Sequence, residues 1–385
     1  MKSVALLIES SRTYGRELLR GVRRFVSQGR DWSMAVELRD LQSSTPAWLR
    51  SWRGDGILAR TGSRAMASAI ASCQVPTVEL RSTRWNPSFP FVGIDNAVVG
   101  QWCARHLIDR GLQHFAVYEL RTETFFEDRS RAFMRAVAAG GFHCHRFHQQ
   151  GTREKPSQWE RQQRLLVQWL ETLPRPIGVM ACTDQLGCWL LDACRRAGIS
   201  VPEEVCVIGV ENDETLCELS DPPLSSVRLG GERVGFEAAA LLDRMMQGRR
   251  IGKRPLLLPP IELMARQSSD LVAVNDPLVS RAVRCIRSRA CDGLTVEQLA
   301  AHLDVSRSTL ERQFRRTLHR SPNEQIVLTR LDQAKHLLRE GDESLGEIAG
   351  KCGLTSAAYL SHRFRLVYGE PPGAYRRRQQ GRRPS

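Results

Sequence analysis

The sequence predicts an α/β protein of two doubly wound lobes, followed by an all-α unit carrying a double helix-turn-helix. Three observations support this class. From residue 3 to about residue 265, short apolar runs alternate with helix-length amphipathic stretches, the pattern of parallel strands covered on both faces by helices. From residue 278 that pattern stops and helical periodicity replaces it. Basic charge gathers at the same end: residues 278–385 hold 20 of the 56 Lys and Arg but only 11 of the 42 Asp and Glu, so nine of the net +14 sit there.

The first strand is Val4–Ile8, and the helix after it places Leu18, Leu19, Val22 and Phe25 on one face. Strands follow at Met34–Leu38, Gly56–Ala59, Val75–Leu80 and Phe91–Ile94. The rhythm resumes at His114–Glu119, Phe142–Phe147, Pro176–Cys182 and Val205–Val210. Residues 150–175 are helical, with Trp159, Leu165, Leu166, Trp169 and Leu170 in period. A short run at Leu224–Leu229, a helix from Glu232 to Met246 and a run at Leu256–Leu258 close the region. Two successive lobes are the simplest arrangement of these elements. Residues 266–277 (RQSSDLVAVNDP) read as a linker, giving a first domain of 1–265 and a second of 278–385.

In the second domain, roughly seven helices are expected. Thr295 and Gln298 have capping-box spacing, and Val296, Leu299, Ala300 and Leu303 form a buried face behind them. Asp304-Val305 turns the chain, and Ser306 caps a helix that buries Leu310, Phe314 and Leu318. Arg307, Ser308, Glu311, Arg312, Arg315 and Arg316 lie off that stripe. The arrangement recurs about 49 residues later. Ser344 and Glu347 repeat the box, Leu345, Ile348, Ala349 and Cys352 the face, and Gly353-Leu354 the turn. Thr355 then caps a helix burying Tyr359 or Leu360 and Phe364, with Ser356, Ala357, Ser361, His362, Arg363 and Arg365 outward. Ser321-Pro322-x-x-Gln325 opens a long helix between the copies. One such pair is ordinary helix packing. Two, in the most basic part of the chain, point to double-stranded DNA.

Composition narrows the partners. With 42% hydrophobic and 25% charged residues the chain is globular rather than disordered. No apolar run approaches the ~18 residues that span a bilayer, so no membrane partner is expected. The opening MKSVALLIES is too short for a signal-peptide core. Eleven cysteines without a Cys-x-x-Cys pair suit reduced thiols in a cytoplasmic location. In the first domain, strand ends finish in polar clusters: Glu9-Ser10-Ser11-Arg12, Arg60-Thr61, Asp95-Asn96, Thr183-Asp184 and Glu211-Asn212-Asp213. Ligands of open α/β sheets bind beyond such carboxyl ends. There is no Gly-x-Gly-x-x-Gly and no phosphate-loop lysine, so neither a nucleotide nor any other cofactor is expected. Carboxylates, amides and an arginine suit a polyhydroxylated ligand, whose hydroxyls both donate and accept. His143, His145 and His148 make a metal site conceivable, with polar edge-strand positions the favoured reading. No motif positions a pair of carboxylates as in a glycosidase, so an enzyme is not expected; the alternatives are a sugar-acting enzyme carrying a DNA-binding module, or a repressor that responds to another monosaccharide.

The blocks LAAHLDVSRSTLERQFRR, RLDQAKHLL, EIAGKCGLTSAAYLSHRFR and YGEPPGAYRRR resemble the DNA-binding domain of AraC-type transcription regulators. The resemblance puts base-reading positions at Ser308, Glu311 and Arg312, and in the second copy at Ala357, Ala358, Ser361 and His362. The two alanines replace longer polar residues, which shifts that helix towards phosphate contacts and shape. Residues 3–265, through VMACTDQLGCWLLDACRRAGISVPEEVCVIGVENDE and PLSSVRLGGERVGFEAA, resemble the periplasmic-binding-protein-like sensor of LacI-type regulators. The combined order is similar to that of xylose-operon activators. It implies a sugar effector, a pentose such as xylose, held by Arg129, Asp184 and Glu211, with Asp95 and Ser10 nearby. It implies, further, a homodimer working with promoter DNA and RNA polymerase. Glu211 stands where Asp is usual.

Overall fold

The computed structural model describes residues 1–40, 43–82, 84–120, 123–147, 159–249, 251–252, 254–270, 276–318 and 320–379. The chain divides into two compact units, Met1–Leu271 and Val272–Ser385.

The first unit runs β1 (Lys2–Leu7), α1 (Thr13–Val26), β2 (Trp32–Val36), β3 (Gly56–Ala59), α2 (Arg64–Ser72), β4 (Thr77–Glu79), β5 (Val92–Ile94), α3 (Asn96–Ile108), β6 (His114–Tyr118), α4 (Thr124–Ala139) and β7 (Cys144–Phe147). It continues through α5 (Trp159–Glu171), β8 (Ile177–Ala181), α6 (Asp184–Arg196), β9 (Val205–Glu211), α7 (Glu214–Leu219), β10 (Ser225–Arg228), α8 (Gly231–Met246), β11 (Leu256–Leu258) and β12 (Glu262–Met264). One lobe holds the parallel sheet β2-β1-β3-β4, which a bridge from Glu79 to Phe91 extends to the β5–β11 pair. The other holds β12-β10-β9-β8-β6-β7, parallel except for β12.

The lobes are not successive. After β5 the chain crosses to the second lobe, where α3 packs on α4. After β10 it returns, so that α8 packs on α1 and β11 pairs with β5. It then crosses a third time to add β12 to β10. The linear rhythm of runs and helices carries no record of these returns, because each element looks the same whichever sheet it joins. Gly100 fixes one close approach: a Cβ there would sit 2.6 Å from the Arg129 carbonyl oxygen. Its absence lets α3 and α4 touch backbone to backbone and sets the position of Arg129.

Two boundaries differ from expectation. β2 begins at Trp32 and lies at the sheet edge, leaving Met34, Val36 and Leu38 39%, 54% and 88% exposed. Arg266–Ser269 is not linker. Gln267–Ser269 forms a 3-10 turn whose Ser268 and Ser269 are fully buried, and Ser268 donates to the Val207 carbonyl at 2.7 Å. Polar serines read as linker here because their hydroxyls, rather than apolar surface, hold the segment against β9 and β10.

The second unit has α9 (Pro277–Arg289), α10 (Val296–His302), α11 (Arg307–Leu318), α12 (Pro322–Glu340), α13 (Leu345–Lys351), α14 (Ala357–Tyr368) and α15 (Pro372–Gln379). It has two small cores. One gathers Val279, Ile286, Leu299, Leu310 and Phe314; the other gathers Leu331, Ile348, Leu360, Phe364 and Tyr375. Helix α12 serves both, through Ile326 in the first and Val327 in the second.

Candidate functional site

In the first unit the polar strand ends meet between the lobes. A cavity of about 30 Å³ is lined by Tyr14, Arg60 and Phe91 from one lobe and by Asn96, Phe125, Arg129 and Glu211 from the other. Glu211 also lines an outer pocket of about 430 Å³ with Arg12, Arg16, Gln185 and Asp213. Contacts join the lobes beside these pockets. The Thr13 hydroxyl donates to Asp213 at 2.6 Å, and Arg81 pairs with Glu123, its Nε donating at 2.9 Å.

Arg129, on α4, is 4% exposed. Its Nε donates to Asn96 Oδ1 at 2.7 Å and its Nη1 to the Cys182 carbonyl at 2.8 Å, while the guanidinium lies 5.1 Å from the centre of the Phe125 ring. The group is therefore held rigid, with its remaining edge at the cavity. Glu211 ends β9 in the left-handed region, at φ +115°, a conformation that costs a non-glycine residue about 1–3 kcal/mol. The bend turns its carboxylate to the cavity. Burial raises its pKa to about 7, against the attraction of Arg12 and Arg129. Arg60 is committed elsewhere: it pairs with buried Glu9 and stacks 5.2 Å over Tyr14.

Other expected ligand contacts have structural duties. Asp184 is fully buried behind the wall: Oδ2 accepts from the Asp213 N–H at 2.7 Å and Oδ1 from the Ser226 hydroxyl at 2.5 Å. Burial raises its pKa to about 6. It braces the loop that carries Glu211 and Asp213 rather than facing the cavity. Asp95 caps α3, accepting from the Ala97 and Val98 N–H groups, and lines a neighbouring pocket of about 280 Å³ instead. Ser10 contributes backbone: its N–H donates to Arg39 and its carbonyl accepts from Arg16. Asn96, named in the sequence only as part of the Asp95-Asn96 strand-end cluster, is the amide that faces the cavity. Tyr14 and Phe125 were missed. All three occupy the first turn of a helix following a strand or strand-end loop, which is where the carboxyl-end rule points. The histidines form no centre that the structure describes. The rings of His143 and His145 lie 4.9 Å apart, His148 falls outside the described residues, and among the described residues no three His, Cys, Asp or Glu side chains are arranged to hold a metal.

In the second unit, both copies of the two-helix motif are present. Thr295–Gln298 and Ser344–Glu347 make reciprocal capping boxes; a third, Ser321–Glu324, opens α12, with Glu324 rather than Gln325 as partner. On α11, Ser308 and Arg312 are exposed. Arg307 is paired with Glu297 and with Glu311, the latter at 2.8 Å. Among the described residues no ion pair engages Arg312. On α14, Ala358 and His362 are exposed, and Ala357 and Ser361 are half-buried. Ser356, expected to face DNA, is the helix cap: its Oγ accepts from the Tyr359 N–H at 3.1 Å. The second turn is one residue longer than the first. The boxes are 49 positions apart, but the caps Ser306 and Ser356, and the buried pairs Leu310 and Leu360 and Phe314 and Phe364, are 50 apart. Arg307, Ser308, Glu311 and Arg312 thus correspond to Ala357, Ala358, Ser361 and His362.

Comparison with known proteins agrees with this layout. Residues 3–97 match the model of the XylR N-terminal domain, 104–269 that of a periplasmic binding protein-like domain, and 299–378 that of a helix-turn-helix domain. The xylose operon regulatory protein of Haemophilus influenzae is 30% identical over 97% of both chains. The chain belongs to the xylose operon regulatory protein family. The Escherichia coli K12 member is likewise 30% identical, over 97% of this chain and 96% of its own. A solved structure of the xylose-binding transcription activator XylR superposes with a TM-score of 0.81 at 30% identity, covering 97% of each chain. As a member of this xylose operon family the protein is a sugar-responsive, DNA-binding transcription regulator. The sensor precedes the reader, as the order of the motifs implied.

Proposed function

We propose that the protein binds an unphosphorylated pentose, xylose foremost, between the lobes of its first unit. As a cytoplasmic homodimer it then activates a xylose catabolic operon by engaging promoter DNA and RNA polymerase. The observation that carries the sugar reading is the pairing at the cavity of a rigid guanidinium, Arg129, with a carboxylate turned inward by a strained backbone, Glu211. Arg129 donates to adjacent sugar hydroxyls and Glu211 and Asn96 accept from others. Charge-assisted hydrogen bonds of this kind contribute about 1.5–3 kcal/mol each. A phosphate fits poorly, because Arg60 and Arg81 already hold Glu9 and Glu123. The cavity is far smaller than a sugar ring, so binding parts the lobes or swings their side chains before they close again.

The solved relative, described as a xylose-binding activator, supports both the pentose and the sign of regulation. The relatives are named as operon regulators and activators, and on that ground we read the molecule as a regulator, not an enzyme. Calorimetry with pentoses, hexoses and their phosphates, on the wild type and Arg129→Ala, tests the site. Xylose should bind the wild type at least roughly tenfold more tightly, a difference of about 1.4 kcal/mol. Equal affinity of both proteins for every sugar would sink the assignment.

A further inference from the structure

Two cysteines far apart in sequence meet in the second unit. Cys291 lies in the 3-10 turn Ala290–Asp292 between α9 and α10; Cys352 ends α13 and heads the turn of the second helix-turn-helix. Cys291 packs against the buried cluster that contains Cys352, so the two side chains are neighbours. The contact is built from both sides. Arg330 of α12 brackets the first turn, its Nε donating to the Ala290 carbonyl at 2.8 Å and its Nη2 to the Leu294 carbonyl at 3.0 Å. Opposite, Gly353 sits at φ +66°, and a Cβ there would lie 2.8 Å from the Cys291 carbonyl oxygen, so bare backbone closes on Cys291. Cys352 is fully buried and Cys291 is half-buried, which leaves one thiol of the pair reachable from solvent.

The sensor thiols differ. Cys103 and Cys182 are wholly buried, and burial raises each to about 12. Cys291 goes the other way, downward, through its interaction with the Cys352 thiol and the nearby Arg330 charge. A thiolate beside a cation and a second thiol is the arrangement of a reactive cysteine with its resolving partner.

We propose that Cys291 and Cys352 are a hydroperoxide-responsive pair that closes to a disulfide and weakens DNA binding. The Cys291 thiolate attacks one oxygen of hydrogen peroxide. An S–O bond forms, the O–O bond breaks, and the departing hydroxide takes a proton to become water, leaving a sulfenic acid. Cys352 then gives up its proton as its sulfur attacks Cys291 Sγ; the S–S bond forms, the S–O bond breaks, and hydroxide leaves with that proton as a second water. Two thiols lose two electrons and the peroxide gains them. An S–S bond of about 2.05 Å is shorter than any contact between thiols. It draws Cys352 towards the Cys291 turn, and with it the short segment that ends at Ser356, the cap of α14. The second recognition helix shifts relative to the first.

The test uses the reduced full chain and a duplex selected from a random pool for binding to it. Peroxide should lower the titratable thiols from 11 to nine, and peptide mapping should place the new disulfide at Cys291–Cys352. Affinity for the selected duplex should fall at least about threefold and return on reduction. In Cys291→Ser, peroxide should change neither the thiol count nor the affinity. In Cys352→Ala, oxidation should stop at a Cys291 sulfenic acid that a dione probe traps. A disulfide between other cysteines, an equal thiol loss in Cys291→Ser, or an oxidised chain that binds DNA as tightly as the reduced one overturns the proposal.

Discussion

Glu211 combines a left-handed backbone with a carboxylate held at a raised pKa, and its pH behaviour follows. Between its ordinary 4.5 and the folded value of about 7, the native state holds a proton that the unfolded chain releases. The group therefore destabilises the fold in full above pH 7, and the penalty fades as pH falls towards 4.5. Glu211→Gln should raise Tm most at pH 8 and least near pH 5 in calorimetric scans; an equal effect at both would remove the assignment. Asp184→Ala strands the Asp213 N–H and the Ser226 hydroxyl, at about 1–3 kcal/mol per lost partner. Its lower sugar affinity should thus come with a lower Tm, as should that of Arg129→Ala, which strands Asn96 Oδ1 and the Cys182 carbonyl. The strand-end rule found the neighbourhood of Glu211, Asp184, Asp95 and Ser10. It could not say which side chain faces the cleft, because capping and bracing draw on the same residue types. On α11, Arg312→Ala should cost roughly 1–3 kcal/mol of DNA affinity and relax preference at one base pair, read by anisotropy on single-base operator variants.

At the scale of elements, the helices of the second unit were the most legible part of the chain. Capping boxes at Thr295 and Ser344 mark starts by chemistry, and Leu310, Phe314, Leu360 and Phe364 mark the buried faces by period. The extra residue in the second turn was not legible, because a repeat set at the boxes assigns the next cap to Thr355. Ser356 holds that position instead. Ser356→Ala should cost about 0.5–2 kcal/mol of stability, and Thr355→Ala much less. Urea unfolding of the two variants distinguishes them. Base preference should persist in Ser356→Ala, as expected of a cap and not of a reader. Among the strands, β12 escaped notice: three residues, Glu262–Met264, offer too little alternation to register.

For the whole molecule, the pairs Thr13–Asp213 and Arg81–Glu123 span the lobes and favour the closed sensor. Removing one, as in Glu123→Gln, should shift the population towards open lobes and weaken sugar binding severalfold, measurable by titration with xylose. An unchanged affinity would show that the pair does not contribute to closure. Exposed basic residues such as Arg377 act over the molecule's field rather than at one base. Arg377→Ala should weaken binding about equally across sequences and flatten the salt dependence by about one counterion. The two-unit plan was legible because charge and periodicity change together near residue 278. The lobe connectivity was not, since partner choice among strands is a long-range property.

The returns of α8 and β11 to the first lobe bear on synthesis. A ribosome delivers β1 to β5 early, yet that sheet waits for its covering helix and last strand until Leu258 has emerged, with the whole second lobe made in between. The second sheet is completed only six residues later, by β12. Neither lobe can finish ahead of the other, so the sensor should acquire protease resistance in one late step on the nascent chain. The helical unit, translated afterwards from a contiguous segment, should follow as a separate event.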